Sequence, residues 1–298
     1  MTIAPSTPTT RLRLPDGRSI DLWVDDDAPG GTPLVFFHGT PGSGLPFADF
    51  LAAARERGLR TVSWSRPGYG ASTRQAGRTV ADVAADTAAV LGHLGAGQAY
   101  VAGHSGGGPH ALACEALLPD RVLGTALIAG VAPWGAAGLD WLDGMGDENH
   151  VEFGAALRGG GELAAFLGPA RETILAMSGA DVAAMFGDLV DDVDRAALTG
   201  EYADFLAANM REGQRLGFDG WFDDDIAFTR PWGFEMGTIA GQVHVWQGAH
   251  DRMVPFAHGR WLAANLGDGC VHLHPEHGHL SIAVAGYAAI LDALVTGT

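Results

Sequence analysis

The chain of 298 residues contains no lysine; all 18 basic residues are arginine, set against 35 Asp and Glu. That absence excludes Schiff-base chemistry, a lysine-anchored pyridoxal phosphate and a phosphate loop that depends on Lys. Cysteine is nearly absent as well. Cys114 and Cys270 are isolated, with neither C-x-x-C nor framework spacing, which points to a reducing cytoplasm. No uninterrupted apolar run reaches 18 residues, so no membrane span is expected. The segment Met1 to Thr10 is polar and rich in Pro and Thr, without the apolar core of a secretory signal. A net charge of −17 argues against nucleic acid and anionic membrane partners, since both select basic surfaces. The expected partner is a small molecule, and the expected state is a monomer or homodimer.

What is present is a hydrophobic content of 47% and a charged content of 18%, an ordinary globular balance. Arg11–Leu14 and Ser19–Val24 flank Pro15-Asp16-Gly17 and read as a hairpin. Strand-like runs follow at Pro33–Phe37, Arg60–Trp64, Ala99–Ala102 and Val122–Ala129. They alternate with helical segments at Leu45–Arg57, Val80–Leu94 and Pro109–Leu118. Such alternation predicts a parallel sheet covered by helices. From about Pro133 to Pro231 no strand is evident, and helices are expected at Val151–Arg158, Glu162–Met177 and Asp194–Gly213. Alternation resumes with Val243–Gln247, a helix near His258–Asn265, a strand Cys270–His274 and a helix Ser281–Leu294. A helical stretch between two strands of one sheet reads as a cap.

The chemistry centres on Gly103-His104-Ser105-Gly106-Gly107, a G-x-S-x-G pentad. In a chain with 44 glycines the pentad alone is an ordinary turn; its position between an apolar strand and a helix makes it a nucleophile elbow. A serine hydroxyl needs a base, and the base needs an orienting carboxylate. Asp251 lies just past the strand Val243–Gln247, and His279 lies on the loop before the last helix. The order Ser…Asp…His and the convergence of strand ends on one sheet edge make Ser105, Asp251 and His279 the candidate triad. Within His272, His274, His277 and His279, the context Gly278-His279-Leu280-Ser281 selects His279 over His277. Glu276 is the weaker substitute for the acid. His272 and His274 sit two apart on a strand and face the same way, but no third ligand has clear spacing, so no metal is assigned. The backbone N–H groups of Gly106 and Thr40, the latter in His38-Gly39-Thr40-Pro41-Gly42, are the candidate oxyanion donors.

Those two segments, with Arg66-Pro67-Gly68-Tyr69-Gly70, Asp251 and Gly278-His279, resemble the α/β-hydrolase superfamily over nearly the whole chain. The likeness is nearest to capped, cofactor-independent bacterial members labelled proline-iminopeptidase-like or simply hydrolase. The resemblance implies an eight-stranded, mostly parallel α/β sheet with helices on both faces and a helical cap after the sixth strand. It implies a core of residues 1–132 and 233–298, a cap of residues 133–232, and no metal or organic cofactor. Haloalkane dehalogenases and epoxide hydrolases of this fold carry an Asp nucleophile where this chain has Ser105. Proline iminopeptidases typically carry Trp after the nucleophile, where this chain has Gly106.

The expected reaction is hydrolysis of a carboxylic ester, thioester, lactone or amide with a medium-sized, largely apolar acyl substrate. Candidate substrate contacts are His38, Gly39, His104, Trp134, Met145, Trp221 and Met253. From Asp140 to Arg230 the chain has 19 Asp and Glu against 6 Arg. Most are expected on solvated helix faces, with Asp223-Asp224-Asp225 in a surface loop and amine binding as the alternative for that run; any that face the pocket would favour a cationic or neutral substrate. The alternatives are an aminopeptidase whose cap acids hold an ammonium, non-hydrolytic chemistry such as a lyase, cyclase or perhydrolysis reaction, and a ligand-binding protein.

Overall fold

The computed structural model describes residues 9–267 and 269–297, so most of the polar N-terminal segment lies outside it. The short apolar runs become eight strands: β1 (Thr10–Arg13), β2 (Ser19–Val24), β3 (Thr32–Phe37), β4 (Leu59–Trp64), β5 (Ala99–His104), β6 (Val122–Ile128), β7 (Val243–Gly248) and β8 (Cys270–His274). They form one sheet in the order β1-β2-β4-β3-β5-β6-β7-β8. The β1–β2 hairpin and the β2–β4 pair are antiparallel, and every pair from β4 to β8 is parallel. The hairpin, the parallel core and the helices around the sheet agree with the sequence reading.

Alternate side chains of each central strand enter opposite layers, because the strand period is two. Leu34, Ala102, Ile128 and Trp246 belong to one buried cluster, and Val35, Val101, Leu127 and Val245 to the other. Helices α1 (Ala48–Arg55) and α11 (Ser281–Thr296) cover the first face; α2 (Val83–His93), α3 (Gly107–Leu117) and α10 (Phe256–Asn265) cover the second.

Between β6 and β7 the described residues form helices and turns only. The helices are α4 (Asp147–Arg158), α5 (Gly160–Ala176), α6 (Val182–Met185), α7 (Asp192–Ala197), α8 (Gly200–Gly213) and α9 (Asp219–Phe228). The single helix expected over Asp194–Gly213 is two. Thr199 is extended and Gly200 takes a φ of +53°, which breaks the helix between α7 and α8. No described helix is long and apolar enough to cross a membrane.

The larger correction concerns Asp223-Asp224-Asp225, expected in a surface loop. These residues form a buried turn of α9, because each carboxylate has its own environment. Asp223 takes a two-pronged contact from the Arg74 guanidinium, with both bonds at 2.9 Å. Asp224, fully buried, accepts from Arg66 Nη2 and Arg78 Nη2 at 2.6 Å each, from Tyr69 Oη at 2.8 Å and from Thr40 Oγ1 at 2.7 Å. Asp225 is equally buried and accepts from none of these arginines. Burial opposes ionisation of Asp224, but the Arg66 and Arg78 charges overcome it and hold its carboxyl well below the usual range. Replacing Asp224 with Ala leaves two buried guanidiniums without their counter-ion. The expected loss is about 3–5 kcal/mol of stability, read as a lowered denaturant midpoint, whereas Arg158→Ala on an exposed i,i+4 pair leaves the midpoint within about 0.5 kcal/mol.

Candidate active site

Ser105 follows the last residue of β5 and has a φ of +54°, a left-handed conformation in which a non-glycine residue is strained. The strain is held from both sides. The Ser105 N–H donates to the Ile128 carbonyl at 2.8 Å, and its own carbonyl accepts from the Gly108 N–H at 2.9 Å. The turn needs small neighbours for close approach: a Cβ on Gly107 would stand 2.2 Å from the Phe37 carbonyl oxygen. The helix therefore starts directly under the serine, with Gly106 at its N-cap. Its free N–H groups and the positive end of its dipole face any charge that forms above them.

His279 is nearly fully buried, and its Nδ1 lies 2.8 Å from Asp251 Oδ2. Asp251 is held by four groups. Its Oδ1 accepts from the Met253 and Val254 N–H groups at 2.9 and 2.7 Å, and its Oδ2 also accepts from Gln247 Nε2 at 2.8 Å. An ionised Asp251 must be met by Nδ1–H, which leaves Nε2 as the basic nitrogen. Burial pulls the imidazole of His279 toward the neutral form. The Asp251 carboxylate, by charge and hydrogen bond, and then Asp194 reverse this, so its pKa stands above the ordinary value.

The backbone of His279 is positioned from the helical insert. Asp194 of α7, with no solvent exposure, accepts from the N–H groups of His279, Leu280 and Ser281 at 2.8, 3.1 and 2.9 Å. It thus supplies the N-terminal cap of α11 in place of a local side chain. Gly278 admits it: a Cβ there would lie 2.6 Å from the Asp194 carboxylate. His104 secures the same loop, its Nε2 lying 3.1 Å from the His279 carbonyl oxygen, which only a protonated Nε2 satisfies. Burial and the neighbouring His279 lower the His104 pKa to about 3, so it stays neutral.

The loop after β3 carries His38, Gly39 and Thr40 beneath the same cavity. His38 accepts the Arg66 N–H at Nε2 (3.2 Å) and contacts the Gly39 carbonyl through Nδ1 (2.7 Å), which occupies both ring nitrogens. The Arg66 guanidinium bonds the His38 carbonyl and Thr40 Oγ1. Among the described residues the backbone N–H groups of Thr40 and Gly106 have no partner, nor do Ser105 Oγ and His279 Nε2.

Two cavities meet at Ser105. A larger one of about 240 Å³ is lined by Thr40, Gly106, Met145, Glu152, Trp221 and Asp225 among others. A smaller one of about 110 Å³ is lined by Gly39, His104, His279 and an apolar set that includes Phe36 and Phe50. Of the substrate contacts read from sequence, Met145 and Trp221 line the larger cavity, His38, Gly39 and His104 the smaller, and Met253 both. Trp134 lines neither. It packs edge-on against Trp141 at 5.2 Å, and Trp141 faces the cavity instead, so Trp134 is corrected to a supporting position. Sequence reasoning did not single out Asp194, Gln247 or Glu152, and it named Asp225 only within the run Asp223-Asp224-Asp225. Gln247 next to a strand end was the only local signal; the others depend on which helix face turns inward.

His272 and His274 do lie on one face, both stacked parallel to Trp246 with centroids 3.9 and 5.4 Å away. The ligand atoms of His274, Glu276 and His277 come within 4.8 Å of one another on the partly exposed turn after β8. No carboxylate of that turn reaches His279, whose partner is Asp251 rather than Glu276.

The family described as alpha/beta hydrolase fold matches residues 32–282. The chain is 36% identical over 125 residues to the dihydrolipoyllysine-residue acetyltransferase component of an acetoin cleaving system from Pseudomonas putida, covering 41% of this chain and 33% of that protein. It is 34% identical over 117 residues to a bifunctional esterase/perhydrolase from Acinetobacter calcoaceticus, covering 38% and 42%. It is 30% identical over 138 residues to epoxide hydrolase B from Mycobacterium tuberculosis, covering 45% and 38%. The chain thus spans roughly a third to two-fifths of the length of these relatives. Two solved structures similar over nearly the whole chain are a bromoperoxidase from Bacillus anthracis and an esterase from Exiguobacterium antarcticum. The first has a TM-score of 0.71 at 19% identity, covering 96% of this chain and 100% of that one. The second has a TM-score of 0.67 at 17% identity, covering 97% and 98%. The sheet order, the elbow at Ser105 and the matched span of residues 32–282 converge, and the chain belongs to the alpha/beta hydrolase fold family.

Proposed function

We propose that the protein is a serine hydrolase that cleaves a carboxylic ester, thioester, lactone or amide through an acyl-enzyme, acting on a medium-sized, largely apolar acyl substrate. The observation that carries this reading is the bonded Asp251–His279 pair, with Nε2 unengaged, on the cavity that Ser105 also lines. The esterase in the name of the Acinetobacter calcoaceticus relative supports the same reaction class. A serine at the elbow fits acyl transfer, because an acyl-serine ester is hydrolysed by the same base that formed it.

In this mechanism Ser105 Oγ attacks the carbonyl carbon while its proton passes to His279 Nε2. The carbonyl π electrons move onto oxygen, and the N–H groups of Gly106 and Thr40 hold that oxyanion. Collapse of the tetrahedral intermediate breaks the bond to the leaving group, which takes the proton from His279. Water then repeats the sequence, giving its proton to His279 and releasing the acid and the Ser105 hydroxyl. Asp251 keeps the imidazole in the Nδ1–H tautomer and stabilises its charged form. The oxyanion donors contribute about 3 kcal/mol each to lowering the barrier. The leaving group must stand beside His279, which assigns it to the smaller chamber and the acyl group to the larger one. We take the insert, residues 133–232, as a cap over the core, since its helices supply most of the larger chamber's lining.

Ser105→Ala is expected to lower turnover of p-nitrophenyl esters by roughly 10³-fold to 10⁶-fold with unchanged thermal unfolding. Near-normal turnover would overturn the assignment, and a strong preference for aminoacyl-naphthylamides would shift it to an aminopeptidase. His279 must be neutral to act as base, and its pKa is raised, so kcat/KM rises with pH through a midpoint above about 6.5. Asp251→Asn removes the main raising influence: the midpoint moves down and kcat falls by about 10⁴-fold. Asp194 acts through position. In Asp194→Ala kcat should fall by about 10² with KM little changed, and the acidic limb should also shift down, since Asp194 adds to the raised pKa.

A further inference from the structure

We propose that Glu152 and Asp225 form a subsite that binds a hydrogen-bond-donating group, a hydroxyl or an ammonium, on the acyl half of the substrate and rejects an anionic group there. The proposal rests on the serine-hydrolase reading for its orientation, since it places the acyl group in the larger chamber.

Three observations carry it. First, the acids are the charged lining of that chamber: Glu148, Glu152 and Asp225 face it, and none of the lining residues is basic. Second, Asp225 has no solvent exposure, and among the described residues no N–H or hydroxyl donates to either of its oxygens; its polar partner is the Glu152 carboxyl. Such a group is costly to bury unless something fills the vacancy. The arginines that might neutralise it are committed elsewhere, Arg66 and Arg78 to Asp224 and Arg74 to Asp223. Third, Glu152 is held in place, accepting the Trp221 indole N–H at 2.5 Å, and Phe153, Ile174 and Phe228 give the same chamber apolar walls.

The two carboxyls cannot both ionise without a cation between them. Burial and then the Glu152 carboxyl push Asp225 well above the carboxylate range. Burial lifts Glu152 to about 7, against the hydrogen bonds from Asp225 and Trp221. A protonated Asp225 beside an ionisable Glu152 offers one donor and several acceptors in an apolar surround. A hydroxyl satisfies both carboxyls at once, and an ammonium does so after the shared proton leaves. A carboxylate or phosphate would add a like charge to a chamber without a counter-ion.

The test compares four p-nitrophenyl esters of matched length, with acyl groups from hexanoic acid, 6-hydroxyhexanoic acid, 6-aminohexanoic acid and adipic acid as its monoester. The expected result is a kcat/KM at least tenfold above hexanoate for the hydroxy or the amino ester, and at least tenfold below for the adipate. Which donor ester gains more identifies the class. Glu152→Gln and Asp225→Asn should compress both ratios toward one, whereas Glu172→Gln on the exposed side of α5 should leave them as in the wild type. Equal rates for all four esters, a faster adipate, or ratios unmoved in both acid variants would overturn the subsite. If no ester is turned over in a Ser105-dependent way, the hydrolase reading has failed. The subsite is then read by calorimetry with hexan-1-ol, hexylammonium and hexanoate. Binding of either donor over hexanoate, lost in Glu152→Gln, upholds it; equal binding or none overturns it. Thermal melts of both acid variants show which of them is folded and can be scored.

Discussion

One buried carboxylate, Asp224, joins the sheet domain to the helical insert and the loop beneath the serine. Its four donors come from three separate stretches: Thr40 after β3, Arg66 and Tyr69 after β4, and Arg78 before α2. Through Arg66 it also governs the His38 carbonyl. The backbone around Thr40 can therefore hold one conformation only while α9 is docked. A buried charge with two guanidiniums adds little net stability compared with an apolar core, but it tolerates almost no alternative arrangement. That intolerance suits the oxyanion role proposed for this loop, since donors aimed at a developing charge act only if they need not reorganise.

The insert reaches the site at two further points, again through acids. Asp194 caps α11 and thereby holds the His279 backbone, and Glu152 with Asp225 faces the larger chamber. Of the 19 acids from Asp140 to Arg230, Glu152, Asp194, Asp223, Asp224 and Asp225 are the buried ones. The acidic surplus of this region is thus two populations. Most members lie on solvated or partly exposed faces, as their composition suggests, and a small set reaches inward as connectors.

Sequence made the sheet legible because strand ends and their following loops carry local signals. The elbow at Ser105 announces itself through glycines that must be small, and Asp251 and His279 through position relative to apolar runs. The chain order of the strands and the helical character of the insert were legible on the same basis. The fate of Asp223-Asp224-Asp225 was not. Three successive acids look solvated until the arginines of distant loops are known to converge on them, and those pairings span about 145 to 160 residues of chain. Trp134 failed for the reciprocal reason. Nearness to a strand end places a residue at the rim, but the packing against Trp141 decides which indole faces the cavity. The break at Gly200 was missed because helical periodicity continues on both sides of it.

Successive residues of a helix point about 100° apart. A run of three acids in α9 therefore addresses an exterior arginine, a buried arginine pair and an apolar chamber from one turn. The first two carboxylates are paired with arginines; the third meets only the Glu152 carboxyl. A chain selected for stability alone would not keep an acid without a counter-ion there, because an apolar residue of similar size would remove its desolvation penalty. Asp224 already supplies the docking of α9, so docking does not account for Asp225. Departures from local consistency concentrate where a protein meets something other than itself. The asymmetry within these three residues thus separates the part of α9 that builds the fold from the part that faces the cavity.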